Sequence, residues 1–185
     1  VQGFADYSPP GRVGATVAPI DAFMLRLDQG ALAFEPLGND QNWKEATQDQ
    51  NGDSHFRFRY SLRAHAPGYD NAAALAWSRD AAAPLTLAFG RLPAKWLDRP
   101  YLEVDARRAL ATCVKPADDG APGQTVVRLW ETGGSTGVVV LAAPGYRAAR
   151  ETDLLERERQ PLAMKQGKVS LNPRAYGFAA VKLIR

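Results

Sequence analysis

Two histidines, His55 and His65, stand ten residues apart, and with Asp53 or Asp70 they form the grouping in this chain nearest to a metal-ligand set. A zinc site needs about three or four converging ligands, usually with two of them closely spaced. That spacing does not supply them, so no metal site is assigned. Glycoside hydrolysis would need two carboxylates facing each other at roughly 5 to 9 Å; Asp118, Asp119, Glu131, Asp153 and Glu156 are the available acids. Asp118 and Asp119 are adjacent and followed by Gly120, which suits turn side chains that bond nearby backbone donors. No Gly-x-Ser-x-Gly elbow supports a Ser/His/Asp arrangement. The run Gly133-Gly134-Ser135-Thr136-Gly137 lacks the lysine and helix of a phosphate-cradling loop and reads as a hairpin turn. No catalytic residue is assigned.

The remaining candidates are contact residues. In residues 54–64, Phe56, Phe58, Tyr60 and Leu62 alternate with His55, Arg57, Arg59, Ser61 and Arg63. Such alternation is hard to obtain from a helix and predicts a strand with its apolar face inward. The basic face can be a solvated exterior, a docking surface for an acidic neighbouring domain, or an anion site. Trp43 stands in the middle of a polar loop, residues 38–53, where it either pins the loop to the core or presents a stacking face; pinning is the preferred reading. Arg128 and Glu131 fall on opposite faces of a strand, so one of them points inward and needs a partner, because an unpaired buried charge costs several kcal/mol. Lys115 for Glu131, or an acidic neighbour for Arg128, would serve. Arg128 also precedes Trp130 by two residues, placed to lie against its indole. Trp43, His55, Arg57, Arg59, Arg128 and Trp130 are thus the residues proposed for a carbohydrate or domain contact.

The elements that must position them are short strands. A hairpin is predicted around the turn Asp28-Gln29-Gly30. After 54–64, strands are predicted at 72–77 and 85–89, although the alanines of the first would tolerate a helical turn. Residues 90–100 read as a linker. Further strands are expected at 101–104, 109–114, 125–130, 138–142, 168–171 and 178–184, separated by Gly- and Pro-containing turns. Residues 151–159 read as a helical turn ended by Pro161. The expectation is an all-β antiparallel β-sandwich, as one core or two packed sandwich units, dividing into 1–98 and 101–185.

Composition narrows the partners. The chain of 185 residues carries 23 basic and 20 acidic side chains, a net charge of +3 with no concentrated basic stripe, so nucleic-acid binding is not expected. No apolar stretch approaches the roughly 18 residues of a membrane span, and no leader is recognisable. The numbering opens at Val1 without an initiator methionine, which suggests a piece of a longer or processed polypeptide. The single cysteine, Cys113, excludes an internal disulfide, leaves the compartment open, and reads as a small buried hydrophobe.

Four blocks carry a family signal: Lys115-Pro116-Ala117-Asp118-Asp119, Val127-Arg128-Leu129-Trp130-Glu131, Asp153-Leu154-Leu155-Glu156, and a closing strand that runs to Arg185. In this order and at this spacing they resemble the C-terminal β-sandwich of glycoside hydrolase family 38 α-mannosidases. Asp53, His55, Phe56 or Phe58, Tyr60 and Leu62, then Pro84-Leu85, resemble that family's central β region. The resemblance covers roughly residues 50 to 185. It departs at Pro173, which the family usually follows with an aromatic; here Arg174 follows and the aromatic comes at Tyr176. The family works by a zinc-dependent retaining mechanism whose ligands and carboxylates lie in an N-terminal α/β domain not included in this chain. The resemblance therefore implies a non-catalytic part of a mannosidase-like enzyme, inactive in isolation and without a cofactor of its own, with zinc in the parent's catalytic domain. That domain is the implied partner, with a mannose-containing glycan as a second. The rival reading is a free-standing carbohydrate-binding module in which Trp43, Trp77, Trp96 or Trp130 stacks on a sugar.

Overall fold

The structure, a computed structural model, describes residues 3–21, 24–35, 55–83, 90 and 100–185. The calls on Asp53, Trp43, Trp96, the loop 38–53 and the strand 85–89 lie outside the described residues. The chain is built of antiparallel β-sheets with one helix and divides into two compact units, Val1–Asp70 with Ala74–Thr86 and Asn71–Ala73 with Leu87–Arg185.

The first unit holds a three-stranded sheet in the order β1 (Ala5–Tyr7), β2 (Gly14–Pro19), β5 (Tyr60–His65). It also holds a hairpin of β3 (Met24–Asp28) and β4 (Ala31–Glu35). Gln29 and Gly30 join the hairpin with φ of 48° and 82°. Positive φ at both central residues matches the right-handed twist of the flanking strands, and a glycine at one of them lowers the cost.

Two expectations are corrected here. Residues 55–59 are irregular, so the predicted strand 54–64 is reduced to β5. Its faces are also inverted: Leu62 is 73% exposed and Tyr60 40%, whereas Ser61, Arg63 and His65 are partly covered. The reason lies in the pairing, since β5 matches Ser61, Arg63 and His65 to Ala18, Thr16 and Gly14 of β2, the covered side of that strand. Alternation finds the two faces of a strand but not which face is packed. The predicted strand 72–77 is instead α1 (Asn71–Ala82). Its run of alanines has the highest intrinsic helix propensity, and Ala74, Leu75 and Ser78 supply a buried helical stripe.

The second unit is a sandwich. A five-stranded sheet has the order β11 (Glu158–Leu162), β10 (Ala148–Thr152), β14 (Phe178–Ile184), β8 (Gln124–Glu131), β7 (Ala109–Pro116). A four-stranded sheet has the order β12 (Met164–Lys165), β13 (Lys168–Leu171), β9 (Val139–Ala142), β6 (Glu103–Val104). Alternate residues of the two sheets meet in one core: Val127, Leu129, Val181, Leu183 and Ala149 from the first, Val139, Leu141, Val169 and Leu171 from the second. Each fully buried Leu or Val contributes roughly 1.5–3 kcal/mol, so the period-two pattern is what holds the layers together.

Three local readings are corrected in this unit. Residues 151–159 hold the end of β10, the connection 153–157 and the start of β11, not a helical turn, and Pro161 sits inside β11. Proline is tolerated there because β11 is an edge strand. The glycine-rich run 133–137 links β8 to β9, which lie in different sheets, so it is an arch across the sandwich and not a hairpin turn. Cys113 is only partly buried, beside the β7 irregularity between Ala111 and Cys113 that turns its side chain away from the strict alternation.

Candidate functional site

Glu131, at the end of β8, is fully buried. Its carboxylate accepts the backbone N–H groups of Gly133 (3.0 Å), Gly134 (3.0 Å), Ser135 (3.5 Å) and Tyr176 (2.9 Å). Burial pushes its pKa up, but the four N–H donors outweigh burial and hold it below the ordinary glutamate value. Glu131 does not pair with Lys115 as the sequence suggested. A nest of backbone dipoles neutralises it, and every lone pair it offers is directed at the polypeptide.

The other motif charges form a network on the outer side of the five-stranded sheet. Glu156, in a left-handed conformation (φ 66°), is 9% exposed. One carboxylate oxygen receives Lys115 Nζ and, at 3.4 Å, Arg128 Nη2; the other accepts the Asp118 backbone N–H at 2.9 Å. Lys115 also bonds Asp118, and its pKa is raised by Asp118 first and Glu156 second. Arg128 donates to the Leu154 carbonyl at 3.0 Å. Asp153 shapes this corner by accepting the N–H groups of Leu155 (2.9 Å) and Arg157 (3.0 Å), which turns Glu156 inward and leaves Leu154 and Leu155 exposed. Next to it, buried Lys182 reaches Asp119 at 2.8 Å and Glu158 at 3.4 Å. Asp119 accepts the Ala121 N–H at 3.1 Å, the turn role foreseen for it.

Trp130 donates its indole N–H to the Tyr176 carbonyl at 3.1 Å and stacks on Phe178, with ring centroids 5.9 Å apart and planes at 20°. Its stacking neighbour is thus Phe178 on the adjacent strand, not Arg128, whose guanidinium is turned to Glu156. Phe178 (55%) and Tyr176 (59%) remain exposed beside it.

The basic candidates of the first unit are not gathered with these. His55 and Arg57 lie on the exposed, irregular lead into β5. Arg59 is held by Asp21 through two side-chain bonds, both 2.9 Å, and the Arg59 N–H also bonds Asp21. Arg63 faces Thr16 in the β2–β5 register.

A polar constellation that sequence reading missed sits on the same sheet. Asp6 of β1 accepts the hydroxyls of Ser8 and, at 2.6 Å, Thr16, and meets His65 Nε2 at 3.0 Å. His65 lies on the far strand and crosses β2 above Gly14, where a Cβ would stand 2.6 Å from His65 Nε2 and 2.8 Å from the Tyr7 carbonyl. His65 Nδ1 faces the Ala66 carbonyl at 2.8 Å. Both ring nitrogens therefore face oxygen atoms. Burial raises the Asp6 pKa, but the Ser8 and Thr16 hydroxyls and the His65 charge lower it further, to a net value below the ordinary one. The carboxylate stands between hydroxyl and imidazole, so Ser8 has no histidine base and this is not a nucleophile triad. The signal available in sequence was Gly14 within an otherwise β-prone run, a mark of close approach. Among the described residues no three His, Cys, Asp or Glu side chains converge as metal ligands.

Compared with known proteins, the chain matches no family model and no curated protein.

Proposed function

We propose that this chain is a non-catalytic β-sandwich region of an α-mannosidase-like glycoside hydrolase, which braces the parent enzyme and shapes its sugar site. One observation carries the reading. The charged side chains of the resembling blocks, Lys115, Asp118, Arg128, Glu131 and Glu156, are bound to one another or to backbone donors. Charges spent in this way serve packing, which is what a lineage signature in a bracing domain requires, and a catalytic acid pair would instead need carboxylates open to a substrate.

The test joins two assays. The isolated chain is offered an aryl α-mannoside with and without zinc, where no turnover is expected; turnover by this chain alone would sink the proposal. The chain is then mixed with a family 38 catalytic domain prepared without its β region. Association with a gain in thermal stability is expected, weakened by Arg57→Glu with Arg59→Glu if the basic face docks; no association would count against the bracing role.

A second reading, a carbohydrate-binding module, is favoured by the stack of half-buried Trp130 on exposed Phe178, with exposed Tyr176 beside it. Aromatic faces of this kind suit the apolar side of a sugar ring. Protection of tryptophan fluorescence from a solvent quencher by mannobiose would support it, and equal quenching with and without the sugar would exclude it.

A further inference from the structure

The Asp6 constellation opens onto a cleft of about 420 Å³ lined by Phe4, Asp6, Ser8 and Tyr69. This volume falls within the roughly 300–1,000 Å³ of small-molecule sites. Two aromatic rings, a carboxylate and a hydroxyl thus share one opening. We propose that this cleft binds a neutral polyhydroxyl ligand, a single sugar ring, whose hydroxyls bond Asp6 and Ser8 while Phe4 and Tyr69 cover its apolar face.

The partners already on the carboxylate choose the ligand class. Asp6 meets His65 Nε2 at 3.0 Å across Gly14, so it has an internal partner from the far strand. A cationic ligand would have to compete with that internal partner, whereas a hydroxyl needs only a spare acceptor site. Among the described residues, one Asp6 oxygen is bonded by Thr16 and His65 and the other by Ser8. Because a carboxylate oxygen has two lone pairs, the second oxygen can accept one further O–H. Ser8 donates its O–H to Asp6, so its own oxygen is left to accept a hydrogen bond from the ligand. The constellation is pre-organised as well, since Thr16 and His65 hold the carboxylate from two other strands, which lowers the ordering cost of binding.

The proposal rests on this cleft alone and not on the mannosidase lineage. It is tested by titrating the 185-residue chain with methyl α-D-mannopyranoside and methyl α-D-glucopyranoside while following the imidazole signals of His65 and the ring signals of Tyr69 by NMR. Saturable shifts with a Kd of about 1–10 mM are expected. Tyr69→Ala, on an exposed position, and Ser8→Ala should each weaken binding about fivefold to tenfold, and Trp130→Ala, in the other unit, should leave it unchanged. No saturable shift with either glycoside up to about 100 mM, or binding unaltered by both cleft variants, would overturn the proposal. Tighter binding of methylammonium than of the glycosides would overturn the choice of a neutral ligand. None of these failures bears on association with a catalytic domain, so the two proposals fall separately.

Discussion

The buried carboxylate of Glu131 accepts the backbone N–H of Tyr176 at 2.9 Å, a bond across 45 residues of chain that ties the end of β8 to the entry of β14. Tyr176 itself is left-handed, with φ of 55°. The bond thus holds a strained turn and an inter-sheet arch on one side chain. Replacing Glu131 by Gln puts an NH2 group among N–H donors and should cost about 3 kcal/mol, read as a lowered midpoint in urea unfolding with an unchanged slope. An unchanged midpoint would show that the nest does not need the charge.

The same carboxylate makes stability depend on acid. Its folded-state pKa lies below its unfolded one, because the N–H donors outweigh burial. Its contribution is therefore complete above the unfolded value, about 4.3, and is lost as pH falls through the folded value. Asp6 has the same sign. The stability gap between the wild-type chain and Glu131→Gln should be constant from about pH 6 to 8 and narrow below about pH 4; a gap that widened in acid would contradict the assignment.

Gly14→Ala should destabilise the first unit, since the new Cβ would meet both the His65 ring and the Tyr7 carbonyl. The carbonyl belongs to backbone and cannot rotate away. A cost of about 2 kcal/mol is expected, with displaced His65 imidazole signals. The control is Gly30→Ala in the hairpin, where a Cβ meets nothing within 4 Å and only the positive φ opposes it; a larger loss there than at Gly14 would refute the crossing.

Removal of Glu156 leaves Lys115 and Arg128 facing each other without their shared partner. Glu156→Ala should therefore destabilise more than Lys115→Ala, and Lys115→Ala combined with Glu156→Ala should cost less than the sum of the two single changes. A double-mutant cycle measures this coupling; strict additivity would mean the network carries no mutual energy.

Arg59→Ala should leave the thermal midpoint unchanged within error. The Arg59–Asp21 pair has good geometry, but the Arg59 side chain is 58% exposed, and water screens such pairs. A clear drop in the midpoint would assign it a structural role beyond a surface bridge.

Most sandwich strands were legible in the sequence, with β13 and β14 predicted at the bounds observed, because Val169, Leu171, Val181 and Leu183 alternate with outward residues and a sheet packed on one face imposes that period; β10, β11 and β12 were not. The charge of the motif blocks was legible as structural, and an acidic partner for Arg128 was expected, since buried ions must be paired. What sequence alone determined was this local, periodic information: class, turns and the need for partners. Tertiary structure decided which partner was taken, so that Glu131 chose backbone N–H groups over Lys115, and which face of β5 was covered. It also decided that Asp6 and His65, 59 residues apart, meet above a glycine. Such contacts depend on strand order and register, which bring distant residues together without leaving a periodic trace in the chain.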